Sequence, residues 1–445
     1  MILQRKAWLV AGVGGALLIL LIGGAKLSDM RTGANLVEQL PVTPALIKRG
    51  AYLAKLGDCA ACHSVPQSPA FAGGLRMNIP IGAIYSTNIT PDKRFGIGDY
   101  TLADFDRALR FGVAGGHTLY PAMPFASYAN TKPEDIEALY AFFQRGVVAA
   151  PVANKVADIR FPLSMRWPLT FWRLLFAPSP TPFVTAQAAD PIVARGAYIV
   201  EGLGHCGECH TPRALTLQVK AQNARQGYLF LSGAVVETWY APSLRNGGPD
   251  TIGAWSAEEI ARFLTTGAND HGIAFGSMTD VIVHSSQYMT PEDASAAAAF
   301  LKTLAPAGAV AATQFAYDES TDRALRRGDA EQRGAMLYLD NCAACHRPDG
   351  KAYDRVFPAL AGNPVAEAAN PISLASIVLG GSATPITNLT PAQFTMPAFD
   401  WRLSDQDVAD VVNFVRGSWG NTASAVDVEA VSHLRKGLGV SEQQR

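Results

Sequence analysis

The residues best suited to chemistry in this 445-residue chain are its six cysteines, which all lie in three copies of the string Cys-x-x-Cys-His. Each copy is introduced by the tripeptide Arg-Gly-Ala. The copies are "RGAYLAKLGDCAACH" from residue 49, "RGAYIVEGLGHCGECH" from residue 195 and "RGAMLYLDNCAACH" from residue 333. Because no cysteine is left over, the sequence provides no separate disulfide framework. Two thiols and an imidazole in a fixed order, repeated three times, indicate three sites of one kind.

Three chemistries use cysteine pairs with this spacing. A zinc site needs four protein ligands, or three and a water, so each string would supply only part of a site. A thioredoxin-like redox pair needs a βαβ setting, which the sequence does not show. Attachment of haem c uses the whole string, since two thioethers hold the porphyrin and the histidine is the proximal iron ligand. The sequence therefore predicts three covalently bound haems c. Their residues are Cys59, Cys62 and His63; Cys206, Cys209 and His210; and Cys342, Cys345 and His346.

A haem iron with one histidine ligand has a sixth position to fill. Each repeat offers one methionine well downstream of its histidine and shortly before an acidic helix start. These are Met123 in "LYPAMPF", Met278 in "AFGSMTD" and Met396 in "QFTMPAF". A buried methionine ordinarily just fills space. Recurrence at the same relative place favours axial ligation instead.

Other side chains compete for two of these iron positions. Met289 is the local alternative to Met278, and His117 and His271 allow bis-histidine ligation in the first two repeats. The third repeat has no such histidine, which disfavours that pattern. A His/Met pair fills both axial positions and leaves no open iron for oxygen or peroxide. The sequence therefore predicts electron transfer, with no catalytic residue.

The composition limits the class of protein and its partners. Hydrophobic residues make up 49% and charged residues 17% of the chain, which excludes a disordered protein. A formal net charge of -1 gives no basic field for a polyanion, so nucleic acid is not an expected partner. The length predicts roughly three domains, in agreement with the three repeats.

The first 30 residues are typical of a membrane anchor or a signal peptide. Arg5 and Lys6 precede an uncharged run from Ala7 to Ala25, close to the ~20 residues that a spanning helix needs, and their charge predicts a cytoplasmic amino terminus. Alternatively, the small residues up to Ala25 form a cleavage site. Both interpretations place the haem domains on the periplasmic side of the inner membrane.

The repeats predict a mainly α fold of three tandem haem domains. Each repeat contains a short helix that runs into Cys-x-x-Cys-His, an irregular stretch rich in Gly and Pro, and a closing helix with an acidic start. No segment shows a convincing strand alternation. The predicted boundaries are 1–30 for the anchor or signal, 42–146, 190–305 and 322–420 for the domains, 147–189 and 306–321 for the linkers, and 421–445 for the tail.

The segment "RFPLSMRWPLTFWRLLFAPSPTPF" at 160–183 differs from the rest of the chain. It is too short and too charged to span a bilayer. Its aromatic rings together with Arg160, Arg166 and Arg173 suit a chain lying in the lipid headgroup zone. The alternative is that the rings only pack a seam between the first two domains.

With these residues in place, the chain resembles the triple-haem cytochrome c subunits of membrane-bound periplasmic dehydrogenases, which oxidise alcohols, aldehydes, sugars or gluconate. The resemblance covers about residues 45–420. It includes "GAIYSTNITPD", "GIGDYTLADFDRALR", "MRWPL" and "AFGSMTDVIVHSSQYMT". It implies three class I cytochrome c domains that carry electrons from a catalytic subunit to ubiquinone in a respiratory chain.

The resemblance also implies partners. The catalytic subunit would bear pyrroloquinoline quinone, a flavin or a molybdenum cofactor, with room for a small third subunit, and alcohol or aldehyde oxidation is the expected activity. Two rival functions are a multihaem c-type peroxidase and the haem subunit of a terminal oxidase. A peroxidase needs an iron without a sixth ligand, which the three methionines disfavour. A terminal oxidase needs a helix-rich membrane partner.

Overall fold

The structure is a computed structural model of the chain. It describes residues 2–33, 36, 41–180, 190–308, 315–353 and 356–439, and within the first helix it leaves out the side chains of residues 2–12, 14 and 18. Some predictions therefore lie outside the described residues. These are the charges of Arg5 and Lys6, the linker residues 181–189 and 309–314, and the tail residues 440–445.

The chain divides into two compact units, Met1–Val184 and Thr185–Arg445. The first contains one Cys-x-x-Cys-His string and the second contains two. The fold is mainly helical, which confirms the predicted class. The strands are only two to four residues long, too short to give an alternating sequence pattern.

The first unit contains a long amino-terminal helix and one haem repeat. Its helices are α1 (Ile2–Arg31), α2 (Pro44–Leu56), α3 (Cys59–His63), α4 (Leu102–Phe111), α5 (Phe125–Tyr128), α6 (Pro133–Arg145) and α7 (Trp167–Phe176). Its strands are β1 (Arg76–Ile79), β2 (Gly82–Tyr85), β3 (Val113–Ala114), β4 (His117–Thr118) and β5 (Asp158–Ile159). Strands β1, β2 and β5 form one antiparallel sheet, and β3 and β4 form a hairpin.

The second unit contains the other two repeats. Its helices are α8 (Pro191–Tyr198), α9 (Gly207–His210), α10 (Ala257–Thr266), α11 (Ser277–His284), α12 (Pro291–Thr303), α13 (Ser320–Arg327), α14 (Arg333–Asn341), α15 (Ala343–His346), α16 (Pro364–Glu367), α17 (Ile372–Gly380), α18 (Asp405–Arg416) and α19 (Val428–Gly437). Single turns of 3₁₀ or π type lie at Ile199–Leu203, Ala224–Gln226, Ile252–Ala254 and Ser286–Tyr288. Two hairpins pair β6 (Ala234–Val236) with β7 (Trp239–Ala241) and β8 (Ser382–Ala383) with β9 (Thr395–Met396).

The glycine of each Arg-Gly-Ala lies where the helix before the haem string packs on the closing helix. These pairs are α2 with α6, α8 with α12 and α14 with α18. A Cβ on Gly50, Gly196 or Gly334 would overlap a backbone carbonyl oxygen of the closing helix. The repeated glycine is therefore required by close helix contact, because any larger residue would push the two backbones apart.

The arginine of the same tripeptide pairs with an aspartate in the first turn of the closing helix. Arg49 Nε lies 2.9 Å from Asp135, and Arg195 Nη2 lies 2.7 Å from Asp293. Arg333 pairs with Asp407 in the same way. Because the arginines are partly exposed, each pair contributes at most about 1 kcal/mol. The aspartates also suit the positive end of the helix dipole.

The closing helices bury one apolar face, as their helical spacing predicts. In α18 the side chains of Val408, Val411, Val412 and Val415 are buried. Burial of each stabilises the third repeat by roughly 1.5–3 kcal/mol. In α12 the buried face is formed largely by alanines, which allow the close approach to α8.

Residues 147–180, predicted as a linker, contribute structure to the first unit. Strand β5 pairs with β2, and the side-chain amide of Asn88 donates to the carbonyl oxygens of Ala150 and Val152 at 2.8 and 2.9 Å. Helix α7 packs on α1 and on β4. In the predicted tail, α19 packs on α17 and α18 and buries Val431 and Leu434.

Helix α1 is 30 residues long and exposes apolar side chains along its second half. The exposed fractions of Leu17, Ile19 and Leu20 are 55, 72 and 74%. Within the part of the chain that the structure describes, no helix meets both the length and the apolar character that crossing a membrane requires.

Candidate haem sites

Each Cys-x-x-Cys-His string folds into a single helical turn. The turns are α3, α9 with the preceding Cys206, and α15 with the preceding Cys342. Residues three and four apart share one face of a helix, so this turn places both thiols and the imidazole on the same side. This arrangement suits a planar group that is attached through two carbons at its edge, with the imidazole facing the plane.

The three histidines share one hydrogen-bond pattern. Nδ1 of His63 donates to the carbonyl oxygen of Thr87 at 2.6 Å, and Nδ1 of His210 donates to Pro242 at 2.7 Å. Nδ1 of His346 donates to the carbonyl oxygen of Pro358 at 3.0 Å.

A carbonyl oxygen only accepts, so the proton sits on Nδ1 and the lone pair of Nε2 is free for a metal. Burial lowers the pKa of all three imidazoles and outweighs the carbonyl contacts, which keeps the rings neutral.

The six cysteines form no disulfide bond with one another. Burial raises the pKa of Cys59, Cys206 and Cys342 to about 12. A redox dithiol requires a reactive thiolate, which burial in these surroundings disfavours. Among the described residues, no three His, Cys, Asp or Glu side chains converge to hold a metal ion by themselves. The donor sets therefore fit a porphyrin-bound iron better than a bare ion.

The third repeat brings its predicted ligands into one cavity. The side chains of Cys342, Cys345, His346 and Met396 all line it. Phe357 and Phe399 supply part of its apolar wall. An apolar cavity with two thiols, an imidazole and a thioether fits a haem c with His/Met ligation.

Met123 and Met278 follow matching helix ends in the first two repeats, although Met123 lies in the loop before α5 and Met278 lies in the first turn of α11. Gly112 and Gly267 end α4 and α10 with φ of +64° and +77°. Their carbonyl oxygens accept from the backbone N–H of Leu119 and Ala274, each at 2.7 Å. The two methionines follow these residues at the same distance along the chain, and both are half-buried. The match supports Met278 as the counterpart of Met123.

The competing side chains have other contacts. Met289 ends a 3₁₀ turn, with its N–H donating to the carbonyl of Ser286 at 3.0 Å. His271 stacks on Trp255 at 5.5 Å between ring centroids, and its Nε2 lies 3.1 Å from the carboxylate of Glu259. His117 is exposed on β4, and its Nδ1 lies 3.1 Å from the carbonyl oxygen of Gly115. These contacts explain the two histidines without iron.

In the third repeat the methionine is placed differently. Met396 lies on β9 itself and pairs with Ser382. In the first two repeats the residues at the corresponding hairpin position are Thr118 and Ile273, which precede the methionine. The stretch from Ile273 to Phe275, just before Met278, lines the cavity of the third site. A segment of the second repeat therefore forms part of the wall of the third site.

The sequence gives little indication of the carbonyl acceptors of the three histidines. They lie 24, 32 and 12 residues after their histidines, so no common spacing identifies them. Two of the three are prolines, which have a carbonyl but no N–H. A proline in the loop after the haem string is the only signal that could have pointed to Pro242 and Pro358.

Comparison with known proteins extends these observations. A family model described as cytochrome c matches residues 331–419. The gluconate 2-dehydrogenase cytochrome c subunit of Pantoea cypripedii is 52% identical over 405 residues, 90% of this chain and 92% of that protein. The cytochrome c subunit of the alcohol dehydrogenase (quinone) of Gluconobacter oxydans is 49% identical over 391 residues, 86% of this chain and 82% of its own length. The fructose dehydrogenase cytochrome subunit of Gluconobacter japonicus is 36% identical, covering 88% and 83%.

Proposed function

The chain belongs to the cytochrome c subunits of membrane-bound dehydrogenases, and we propose that it carries electrons from a periplasmic catalytic subunit through three haems c to ubiquinone. As a member of this family it is an electron-transfer subunit that binds haem c covalently. The observation that supports three haems is the hydrogen-bond pattern shared by the three histidines. All three Cys-x-x-Cys-His turns direct Nδ1 to a backbone carbonyl, which prepares Nε2 for iron in each.

We assign the ligands repeat by repeat. The cysteine pairs of the three strings hold the porphyrins, and the axial pairs are His63 with Met123, His210 with Met278, and His346 with Met396. A bound haem c with these ligands supplies one-electron redox chemistry at a raised potential. The cysteines would hold the haem covalently, and each histidine and methionine pair would ligate its iron. At the third site the apolar wall of the cavity would exclude water. We therefore assign electron transfer to this subunit and substrate oxidation to its partner.

The proposed location is the periplasmic side of the inner membrane. Arg5 and Lys6 precede the apolar run in the sequence, and this order favours a cytoplasmic amino terminus followed by an exported chain. Attachment of haem c to cysteine thiols also suits an exported chain. The exposed apolar side chains of α1 and α7 support contact with lipid, because exposed apolar surface of this extent is typical of a membrane or protein partner.

The partner is a dehydrogenase catalytic subunit with pyrroloquinoline quinone, flavin or molybdenum chemistry, with room for a small third subunit. The family resemblance favours alcohol or aldehyde as the substrate. The names of the relatives add gluconate and fructose. A substrate survey of the assembled complex must include all four.

The test uses the complex purified from its native membrane. A pyridine haemochrome assay should return three haems for each chain. Without quinone, the correct substrate should reduce the haems, and a ubiquinone analogue should then reoxidise them. Fewer than three haems would contradict the ligand assignment. Haems that substrate reduces but ubiquinone does not reoxidise would contradict the quinone step.

A further inference from the structure

Asp29 is a buried carboxylate near the end of α1, and donors from two other elements surround it. It accepts hydrogen bonds from the backbone N–H and the hydroxyl of Thr118 at 3.0 and 3.1 Å. It also accepts from the hydroxyl of Thr170 at 2.8 Å and from Nη2 of Arg173 at 3.2 Å. The exposed fraction of Asp29 is 3%. A buried charge with this set of partners fixes their positions, since losing it would leave several donors unpaired.

Thr118 links this cluster to the first haem site. It is the last residue of β4, and the loop with Met123 begins directly after it. Nη2 of Arg166 donates to the carbonyl oxygen of Thr118 at 2.6 Å. The same guanidinium lies over the ring of Tyr120, 4.0 Å from its centroid. The N–H of Thr118 is therefore bonded to Asp29 and its carbonyl oxygen to Arg166, and neither partner belongs to the hairpin.

The far end of the same loop also rests on α7. Phe125, the first residue of α5, packs edge-on against Trp172, with ring centroids 6.2 Å apart. At the near end, Nε of Arg173 on α7 donates to the hydroxyl of Thr118 at 3.3 Å. Residues 119–124 thus run between two points that contact α7. Asp29 connects α7 and the hairpin to α1, since Thr170 and Arg173 lie on α7.

The second repeat provides an internal contrast. Ile273 pairs with Ala268 as Thr118 pairs with Val113, so Ile273 is the counterpart of Thr118. The isoleucine side chain has no hydrogen-bonding atom. The side-chain hydrogen bond that Thr118 makes to Asp29 therefore has no equivalent at Ile273 in the second repeat.

We propose that Asp29 is a positioning residue for the first haem site: through Thr118 it fixes the start of the loop that carries Met123, so α1 controls how firmly the Met123 thioether is held at the iron. The inference rests on the proposed ligation by Met123. It makes the amino-terminal helix part of a redox centre as well as a candidate anchor. Asp29 follows Ala25 in the chain, so cleavage after Ala25 would still leave the carboxylate in the mature protein.

The first test is Asp29→Asn in the full-length, haem-loaded chain. The amide keeps the size of the side chain but removes the charge that faces Arg173. One of the three reduction potentials should fall, because weaker methionine ligation lowers the potential. The red absorption band of Met-ligated ferric haem should lose up to about one third of its intensity. Imidazole should bind one haem at lower concentration than in the parent protein.

Two further variants separate positioning from a folding defect. Asp29→Leu combined with Arg173→Met removes both charges, so neither is left unpaired in the interior. It also removes the acceptor of the Thr118 N–H, and the same potential should fall with three haems still attached. Asp106→Asn is the matched control, because Asp106 is another buried carboxylate of this unit and pairs with Arg110 in α4. The Asp106→Asn variant should leave all three reduction potentials unchanged.

The outcomes distinguish this inference from the proposed function. If Met123→Ala changes no potential, the assigned ligation is wrong. If Met123→Ala lowers one potential while Asp29→Asn and the double variant lower none, the positioning role is wrong and the function stands. Equal shifts in Asp29→Asn and Asp106→Asn would also overturn the positioning role, since general loosening of the unit would explain both.

Discussion

Gly196 in α8 lies directly against the backbone carbonyl of Ala296 in α12, and this contact leaves no room for a Cβ. The first prediction is that Gly196→Ala destabilises the second repeat. Overpacking of a tight contact costs about 1–3 kcal/mol, because the helices must move apart. The expected result is a lower urea midpoint for the second unit, measured by tryptophan fluorescence or haem absorbance.

Gly380→Ala is the matched control for this prediction. Gly380 ends α17, and an added Cβ would meet no atom within 4 Å. This change should leave stability unaltered or raise it slightly, since alanine restricts the unfolded chain. A Gly196→Ala protein as stable as the parent would contradict the helix-contact explanation of the Arg-Gly-Ala repeat.

The second prediction concerns the axial methionines. Met278→Ala should open one iron, lower one reduction potential and leave the other two haems unchanged. Met289→Ala is the control, because this neighbouring methionine follows a 3₁₀ turn outside the segment that corresponds to the Met123 loop. Redox titration with optical detection measures both. If Met289→Ala lowers one reduction potential and Met278→Ala lowers none, then Met289 is the ligand and Met278 is not.

Much of this arrangement could be predicted from local sequence. The Cys-x-x-Cys-His turns and the closing helices depend on residues close together in the chain, and the structure forms both where the sequence predicts them. Met396 was predicted from its place before an acidic helix start, and it lines the same cavity as His346. Short-range periodicity was sufficient for these features.

The remaining features depend on partners far apart in the chain. Asp29 contacts Thr118 and Arg173, which lie 89 and 144 residues away, and nothing in the local sequence around Asp29 indicates either partner. The segment around α7 was ambiguous for a chemical reason, since rings and arginines suit both a lipid surface and a protein interior. In the structure, Trp172 packs on Phe125 while Leu175 is exposed.

The third prediction is a loss of stability of the third repeat in acid. Burial alone would raise the pKa of Asp407, but hydrogen bonds from Ser404 and Arg333 hold it below the ordinary value of 3.8. A lowered pKa in the folded state gives stability that is complete above about 3.8 and is lost as the pH falls through the folded-state value. Asp407→Asn should therefore lower stability at neutral pH and flatten its decline in acid. Urea midpoints between neutral pH and pH ~3 would test this for the parent and the variant. Parallel pH profiles would contradict it.

The last prediction concerns membrane contact through α7. Trp167 and Phe171 contact each other, Trp172 packs on Phe125, and these rings belong to the packing of the first unit. Leu174 and Leu175, in contrast, are 56 and 74% exposed. If α7 touches lipid, the two leucines are the side chains that enter it.

Replacing Leu174 and Leu175 together by Ser should therefore weaken vesicle binding and quinone reduction while all three haem potentials stay unchanged. Leu389→Ser is the matched control, since Leu389 is 70% exposed but lies in the third repeat. It should change neither property. Both variants are compared in the full-length protein by flotation with vesicles that contain anionic lipid, because Arg160 beside this segment favours phosphate. If the variant with both leucines replaced by Ser binds vesicles and reduces quinone as the parent does, α7 is only an internal support for the first haem site.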